Sequence, residues 1–138
     1  MMQVNFWSAI EFLRLITKAK YGVHDTATVI LSSNVANSCE KGSFAYSASK
    51  AAINAAIRSV AKEVCQKGHR VNTILPGRIK SPMTEKLNGI LDEEKIISKH
   101  LLGEGVPSDI SGMTLFLLSD SAKWITGSNI VVDGGYLA

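Results

Sequence analysis

The 138-residue sequence contains no run of the ~18 apolar residues that a membrane-spanning helix requires. Its first residues show no charged n-region, apolar h-region and cleavage site of the kind that marks a secretory signal. Cysteine is scarce. Cys39 and Cys65 stand far apart without metal-ligand spacing and read as free thiols of a reducing cytoplasm. His24, His69 and His100 likewise share no ligand spacing, so no metal is expected. Charge of one sign is also lacking: 15 basic against 12 acidic residues leave +3, scattered along the chain. That argues against nucleic acid or a membrane surface as a partner. There is no internal repeat and no low-complexity tract. With 46% hydrophobic and 20% charged residues, the composition is that of a folded chain, and the length suits one domain.

Helical and strand-like stretches alternate. Residues 4–20 place Val4, Trp7, Ile10, Leu13, Leu15 and Ile16 at helical spacings, with Phe6 and Phe12 on other faces, which predicts a largely buried helix. Residues 28–32 form a short β-branched run, expected of a strand buried on both faces. A polar loop with Asn34, Asn37 and Gly42 follows. Alanine then recurs from Ala45 to about Gln66, predicting a long helix in close contact with a neighbour, with Gly68 as its cap. Residues 70–75 read as a second strand ended by Pro76-Gly77, and 81–102 as a mixed-charge excursion with helical character. Ser108-Asp109 is expected to cap a helix through Leu118, and residues 129–133 form a third strand before Gly134-Gly135. Strands joined by long crossovers imply parallel pairing in an α/β layer. Trp7 and Trp124 are read as core or interface residues.

Tyr46 and Lys50 are four apart on the long predicted helix and so share a face. A tyrosine titrates near ~10 and is a poor proton donor and acceptor at neutral pH unless its phenolate is stabilised. An ammonium one turn away supplies that stabilisation. Ser33, at the end of the first strand, stands where α/β sites form and could orient a carbonyl or alcohol oxygen.

The surrounding residues carry a resemblance. Tyr46-Ser47-Ala48-Ser49-Lys50-Ala51-Ala52 resembles the active-site signature of the short-chain dehydrogenase/reductase family. Ser33, thirteen residues earlier, stands at that family's spacing for its catalytic serine. Asn5-Phe6 is similar to the start of the segment bearing its fourth catalytic residue. Residues 71–77 resemble the strand and turn beneath the nicotinamide, and 125–135 the last strand with its diglycine. The resemblance covers nearly the whole chain and matches the C-terminal half of the family. Within the family it is nearest the 3-oxoacyl-carrier-protein reductase and sugar-alcohol dehydrogenase types.

The resemblance implies a Rossmann-type parallel sheet with flanking helices, truncated at its N-terminus. It implies NAD- or NADP-dependent hydride transfer between a small-molecule carbonyl and an alcohol. Tyr46 would pass the proton, Lys50 would lower the tyrosine pKa and hold the nicotinamide ribose, Ser33 would hold the substrate oxygen, and Asn5 would bind a relay water. Pro76 and Gly77 would shape the cofactor-facing turn, the Ile79 main chain would bind the carboxamide, and Ser81 would add a hydroxyl contact. Residues 80–104 would hold the substrate lid. The helices at 4–20 and 45–66 resemble those that form oligomer interfaces in the family, although packing within one chain explains the same apolarity.

No glycine-rich phosphate loop is present. Gly103-Glu104-Gly105 follows a helical stretch rather than a strand and fails the context that motif needs. The residues that choose between NAD and NADP are expected in the absent half. Two readings stay open: a fragment or late-start product of a longer enzyme, or a short chain that pairs with another. An alternative function is a non-catalytic interaction subunit that has lost cofactor binding. A half-sheet is also expected to expose an apolar edge and to associate or aggregate.

Overall fold

A computed structural model describes residues 1–18, 24–86 and 92–138. Three parallel strands, β1 (Ala27–Leu31), β2 (Arg70–Pro76) and β3 (Asn129–Val132), form a sheet in the order β1-β2-β3. The helices are α1 (Ser8–Ile16), α2 (Val35–Ser38), α3 (Phe44–Val64), α4 (Pro82–Glu85), α5 (Glu93–Ser98) and α6 (Pro107–Leu118). The α/β parallel class expected from the alternating pattern is the one found.

β2 is the central strand, and its residues from Val71 to Leu75 are buried. Successive side chains of a strand point to opposite faces. Val71 accordingly joins Leu13, Ile53, Ile57 and Val64 under α1 and α3, while Ile74 joins Ile110, Leu117 and Ala122 under α6. The polar residues of the strand are satisfied. Asn72 donates to the Ile125 carbonyl (3.0 Å) and accepts from the Ser128 amide (3.0 Å), and Thr73 donates to the Asn129 side chain. Arg70 reaches the carbonyls of Leu117 (2.9 Å) and Ser119 (3.1 Å), closing the C-terminus of α6.

The structure corrects several expectations. The helix expected over 4–20 begins with a π-helical stretch, Gln3–Trp7, continues as α1 and ends at Ile16, with Thr17 as its C-cap; residues 19 and 20 lie outside the described residues. It is not largely buried: Leu13 is buried, but Val4 is 72% exposed, and Trp7, Phe12 and Leu15 are exposed too. The apolar residues wrap right round the helix, whereas its packing within the chain buries one side only. Trp124 is 97% exposed and is no core residue. β1 is only half-buried, because among the described residues it pairs on one edge alone. The loop after β1 contains α2, ended by Cys39 in the left-handed region at φ 51°. The long helix stops at Val64, and Gly68 (φ 75°) caps the 3-10 turn Cys65–Lys67 instead. The N-cap of α6 is Val106 rather than Ser108-Asp109. Pro107 fits the first helical position, and Asp109 reaches back to accept from the Val106 amide at 2.7 Å. The excursion over 81–102 contains α4 and α5, with residues 87–91 outside the described residues.

Ile57 has no solvent exposure, so Ile57→Ala should lower stability by about 2–5 kcal/mol, read by urea denaturation. Trp124→Ala in the same assay should change it by less than about 0.5 kcal/mol.

Candidate active site

The C-terminal ends of β1 and β2 open into a cleft of about 720 Å³. Its walls include Asn5, Ser33, Tyr46, Lys50, Pro76, Gly77, Ile79 and Ser81, all the site residues singled out in the sequence. Parallel packing explains the convergence: Ser33 follows β1, Pro76 and Gly77 end β2, and the first turns of α3 lie beside them.

One helical turn brings Lys50 alongside Tyr46, with Nζ 5.8 Å from the ring centroid. Nζ also donates to the Leu31 carbonyl at 3.0 Å. Burial of the ammonium pushes Lys50 below the ordinary lysine value. Ser49, wholly buried on the same helix, donates to the Tyr46 carbonyl at 2.8 Å and accepts from Asn5 Nδ2 at 3.0 Å. Asn5 is thus fixed on the helix turn that bears Tyr46. Ser33 is buried and its Oγ accepts from the Val35 amide at 3.3 Å, which leaves its hydroxyl proton available for a ligand. Among the described residues, the Tyr46 hydroxyl has no hydrogen-bond partner, although it lines the cleft.

The turn after β2 is held from behind. Gly77 donates to the Val132 carbonyl at 3.0 Å, and a Cβ there would lie 2.8 Å from both the Asp133 Cα and the His100 ring. His100 donates through Nδ1 to the Ile96 carbonyl (2.9 Å) and accepts the Arg78 amide through Nε2 (2.9 Å). This buried histidine is therefore a structural support. Ser81 caps α4: its Oγ accepts from the Thr84 amide at 3.3 Å, and its amide donates to Thr84 Oγ1 at 2.9 Å. No cluster of His, Cys, Asp or Glu among the described residues could hold a metal ion.

Sequence reasoning missed the opposite wall. Pro107, Ile110, Ser111 and Thr114 of α6 line the cleft together with Met83 and Thr84. The stripe at i, i+3, i+4 and i+7 along α6 was the available signal. Its mixed polarity hid it.

Comparison with known proteins places the chain in a family. Residues 1–137 match the family model described as enoyl-(acyl carrier protein) reductase. The chain belongs to the short-chain dehydrogenase/reductase family. Among its relatives, the 3-oxoacyl-(acyl-carrier-protein) reductase FabG of Rickettsia conorii is 39% identical over 137 residues, covering 99% of this chain and 55% of that protein. The NADP-dependent (R)-specific alcohol dehydrogenase of Lentilactobacillus kefiri is 40% identical over 97 residues, which is 68% of this chain and 38% of that one. A solved 4-hydroxyisoleucine dehydrogenase complexed with NADH superposes with a TM-score of 0.89 at 33% identity, covering 98% of this chain and 57% of that one. A short-chain dehydrogenase family protein from Francisella tularensis gives a TM-score of 0.85 at 27% identity, covering 99% and 60%. This short-chain dehydrogenase/reductase chain spans about half the length of the curated relatives it matches.

In this family member, Gly77→Ala would drive a methyl into the Asp133 backbone and the His100 ring. It should lower stability by about 1–3 kcal/mol, seen as an earlier denaturation midpoint with an unchanged slope.

Proposed function

We propose that this chain is the catalytic portion of an NAD- or NADP-dependent oxidoreductase that interconverts a small-molecule carbonyl and an alcohol. The supporting observation is the convergence of Ser33, Tyr46 and Lys50 on one cleft, with the Tyr46 hydroxyl unpartnered among the described residues. The cleft fits the nicotinamide–ribose end of such a cofactor. Lys50 and Tyr46 offer polar contacts, Pro76, Gly77 and the Ile79 main chain an apolar turn, and Ser81 a hydroxyl that already caps α4. Nothing in residues 1–138 is a glycine-rich phosphate loop, so the phosphates and the choice between NAD and NADP have no determinant in this sequence. A bound nicotinamide supplies or accepts the hydride.

The chain's own groups handle the proton. In reduction, the Tyr46 hydroxyl gives its proton to the carbonyl oxygen while Ser33 donates a hydrogen bond to the same atom. Lys50, with Nζ 5.8 Å from the ring centroid, places a positive charge beside the phenolate that forms as the proton leaves. Asn5, anchored on Ser49 and lining the same cleft as Lys50, would hold a relay water. Two hydroxyls in one cleft suit a polar oxygen, which favours carbonyl reduction over reduction of a carbon–carbon double bond. Residues 80–104 would form the substrate lid.

A second reading has its own support. Val4, Trp7, Phe12 and Leu15 on and beside α1, and Phe44 at 84% exposure, present apolar surface that suits self-association through residues 4–20 and 45–66. Both cysteines are exposed free thiols, in keeping with a cytoplasmic setting. No helix among the described residues is long and apolar enough to cross a membrane. A non-catalytic subunit with the same fold would keep this apolar surface and leave the cleft idle.

Titration of the folded chain with NADH and NADPH separates the two readings. Saturable binding supports the oxidoreductase, and its absence supports the interaction subunit. Tyr46→Phe should lower kcat/KM by about 10²–10⁴-fold and weaken cofactor binding far less; unchanged turnover would refute the assigned proton donor. Because burial lowers the Lys50 pKa, its charge is lost at a lower pH than a free lysine would lose it. The alkaline limb of kcat/KM should therefore fall below pH ~10.4, the ordinary lysine value.

A further inference from the structure

Arg78 stands between Gly77 and Ile79, yet it does not line the cleft that they line. Its side chain is only 8% exposed and holds two carboxylates from different parts of the chain. Nη2 donates to Glu93 Oε1 at 2.8 Å, and Nε donates to Glu104 Oε1 at 2.9 Å. Glu93 is the first residue of α5, and Glu104 lies where the excursion returns to the core. The Arg78 main chain is tied to the same excursion: its amide donates to His100 Nε2, and its carbonyl accepts from the Gly105 amide at 3.1 Å. Lys80 closes the ring by donating to the Gly105 carbonyl at 2.8 Å.

We propose that Arg78 is a positioning residue that clamps α5 and the returning limb of the 80–104 excursion onto the turn after β2. Through that clamp it holds in place the segment that brings Ile79, Ser81, Met83 and Thr84 to the cleft, without touching substrate or cofactor. This assignment rests on the reading of the cleft as an oxidoreductase site. The planar guanidinium presents donors in two directions at once, which one ammonium cannot match. A charge this buried persists only when paired. Without it, Glu93 and Glu104, at 33% and 26% side-chain exposure, lose their shared counter-charge, and the first turn of α5 loses its tie to the turn after β2.

Amide hydrogen exchange and steady-state kinetics of the full chain test the clamp. Arg78→Met should speed exchange across Glu93–Ser98 by about tenfold or more while leaving α3 and β2 protected. It should raise the KM for a carbonyl substrate by about tenfold with kcat within about twofold. Arg78→Lys should recover only part of either effect. Unchanged exchange over α5 in a folded Arg78→Met protein overturns the clamp, and so does a fall in kcat at constant KM. Should Arg78→Met fail to fold, Glu93→Gln, which keeps the Arg78–Glu104 pair, must move both readouts in the same direction by less; no movement overturns the proposal. Exchange needs no cofactor. If the wild-type chain binds neither NADH nor NADPH, faster α5 exchange still upholds the clamp while the oxidoreductase reading falls.

Discussion

The hydrogen bonds along both edges of β2 are the constraint on which the rest depends. The Ser32 amide donates to the Ile74 carbonyl at 2.8 Å and the Asn34 amide to the Pro76 carbonyl at 3.0 Å, while Gly77 donates to Val132 on the other side. These bonds fix the ends of all three strands in one register, and the strand ends carry the cleft. Ser33 is bracketed by two of those bonds, so its hydroxyl is placed by the sheet and not by a free loop. Pro76 can end β2 because a strand needs no further amide donor there, and Gly77 then allows the Asp133 backbone and His100 to close behind it.

The helix α5 is held by a different kind of force. At the far end of α5, Lys99 donates to the Glu40 carboxylate and to the Tyr136 hydroxyl, each at 3.2 Å, and Tyr136 donates to Glu40 in turn. The Tyr136 hydroxyl and Lys99 hold the Glu40 carboxyl below its usual range. Lys99 and Glu40 have side chains 41% and 39% exposed, where an ion pair contributes about 0–1 kcal/mol. Arg78, by contrast, is buried and holds two carboxylates among the described residues. The two ends of α5 are therefore unequally anchored, and the buried end governs where the helix sits. The Tyr136 ring, 4.7 Å from His100, links the weaker anchor to the histidine that supports the Arg78 amide.

What could be read from the sequence was what local chemistry decides. The three strands were legible because β-branched runs end at Ser33, Pro76-Gly77 and Gly134. The Tyr46–Lys50 pairing was legible because helix geometry alone puts those side chains on one face. Burial of α1 was not, since Val4, Trp7 and Phe12 are apolar whether or not anything covers them. The Val106 cap was hidden because the oxygen that serves it belongs to Asp109, inside the helix. The Arg78 clamp was hidden because its partners lie 15 and 26 residues away, separations at which no periodicity applies. The α6 wall of the cleft carried a helical stripe, but of mixed polarity, and polarity was the signal sought.

One link joins the sheet to the chemistry directly. In an extended strand the N–H and C=O of one trans peptide group point to opposite edges. The Ser32 amide faces β2, so the Leu31 carbonyl of the same peptide group faces the outer edge of β1. That carbonyl is the acceptor of Lys50 Nζ. The placement of Lys50 is therefore set by the sheet as well as by the helix turn that puts it beside Tyr46. The half-buried state of Lys50 follows from the same geometry, since the ammonium lies between the outer edge of β1 and the cleft. Its lowered pKa is the electrostatic consequence of that position.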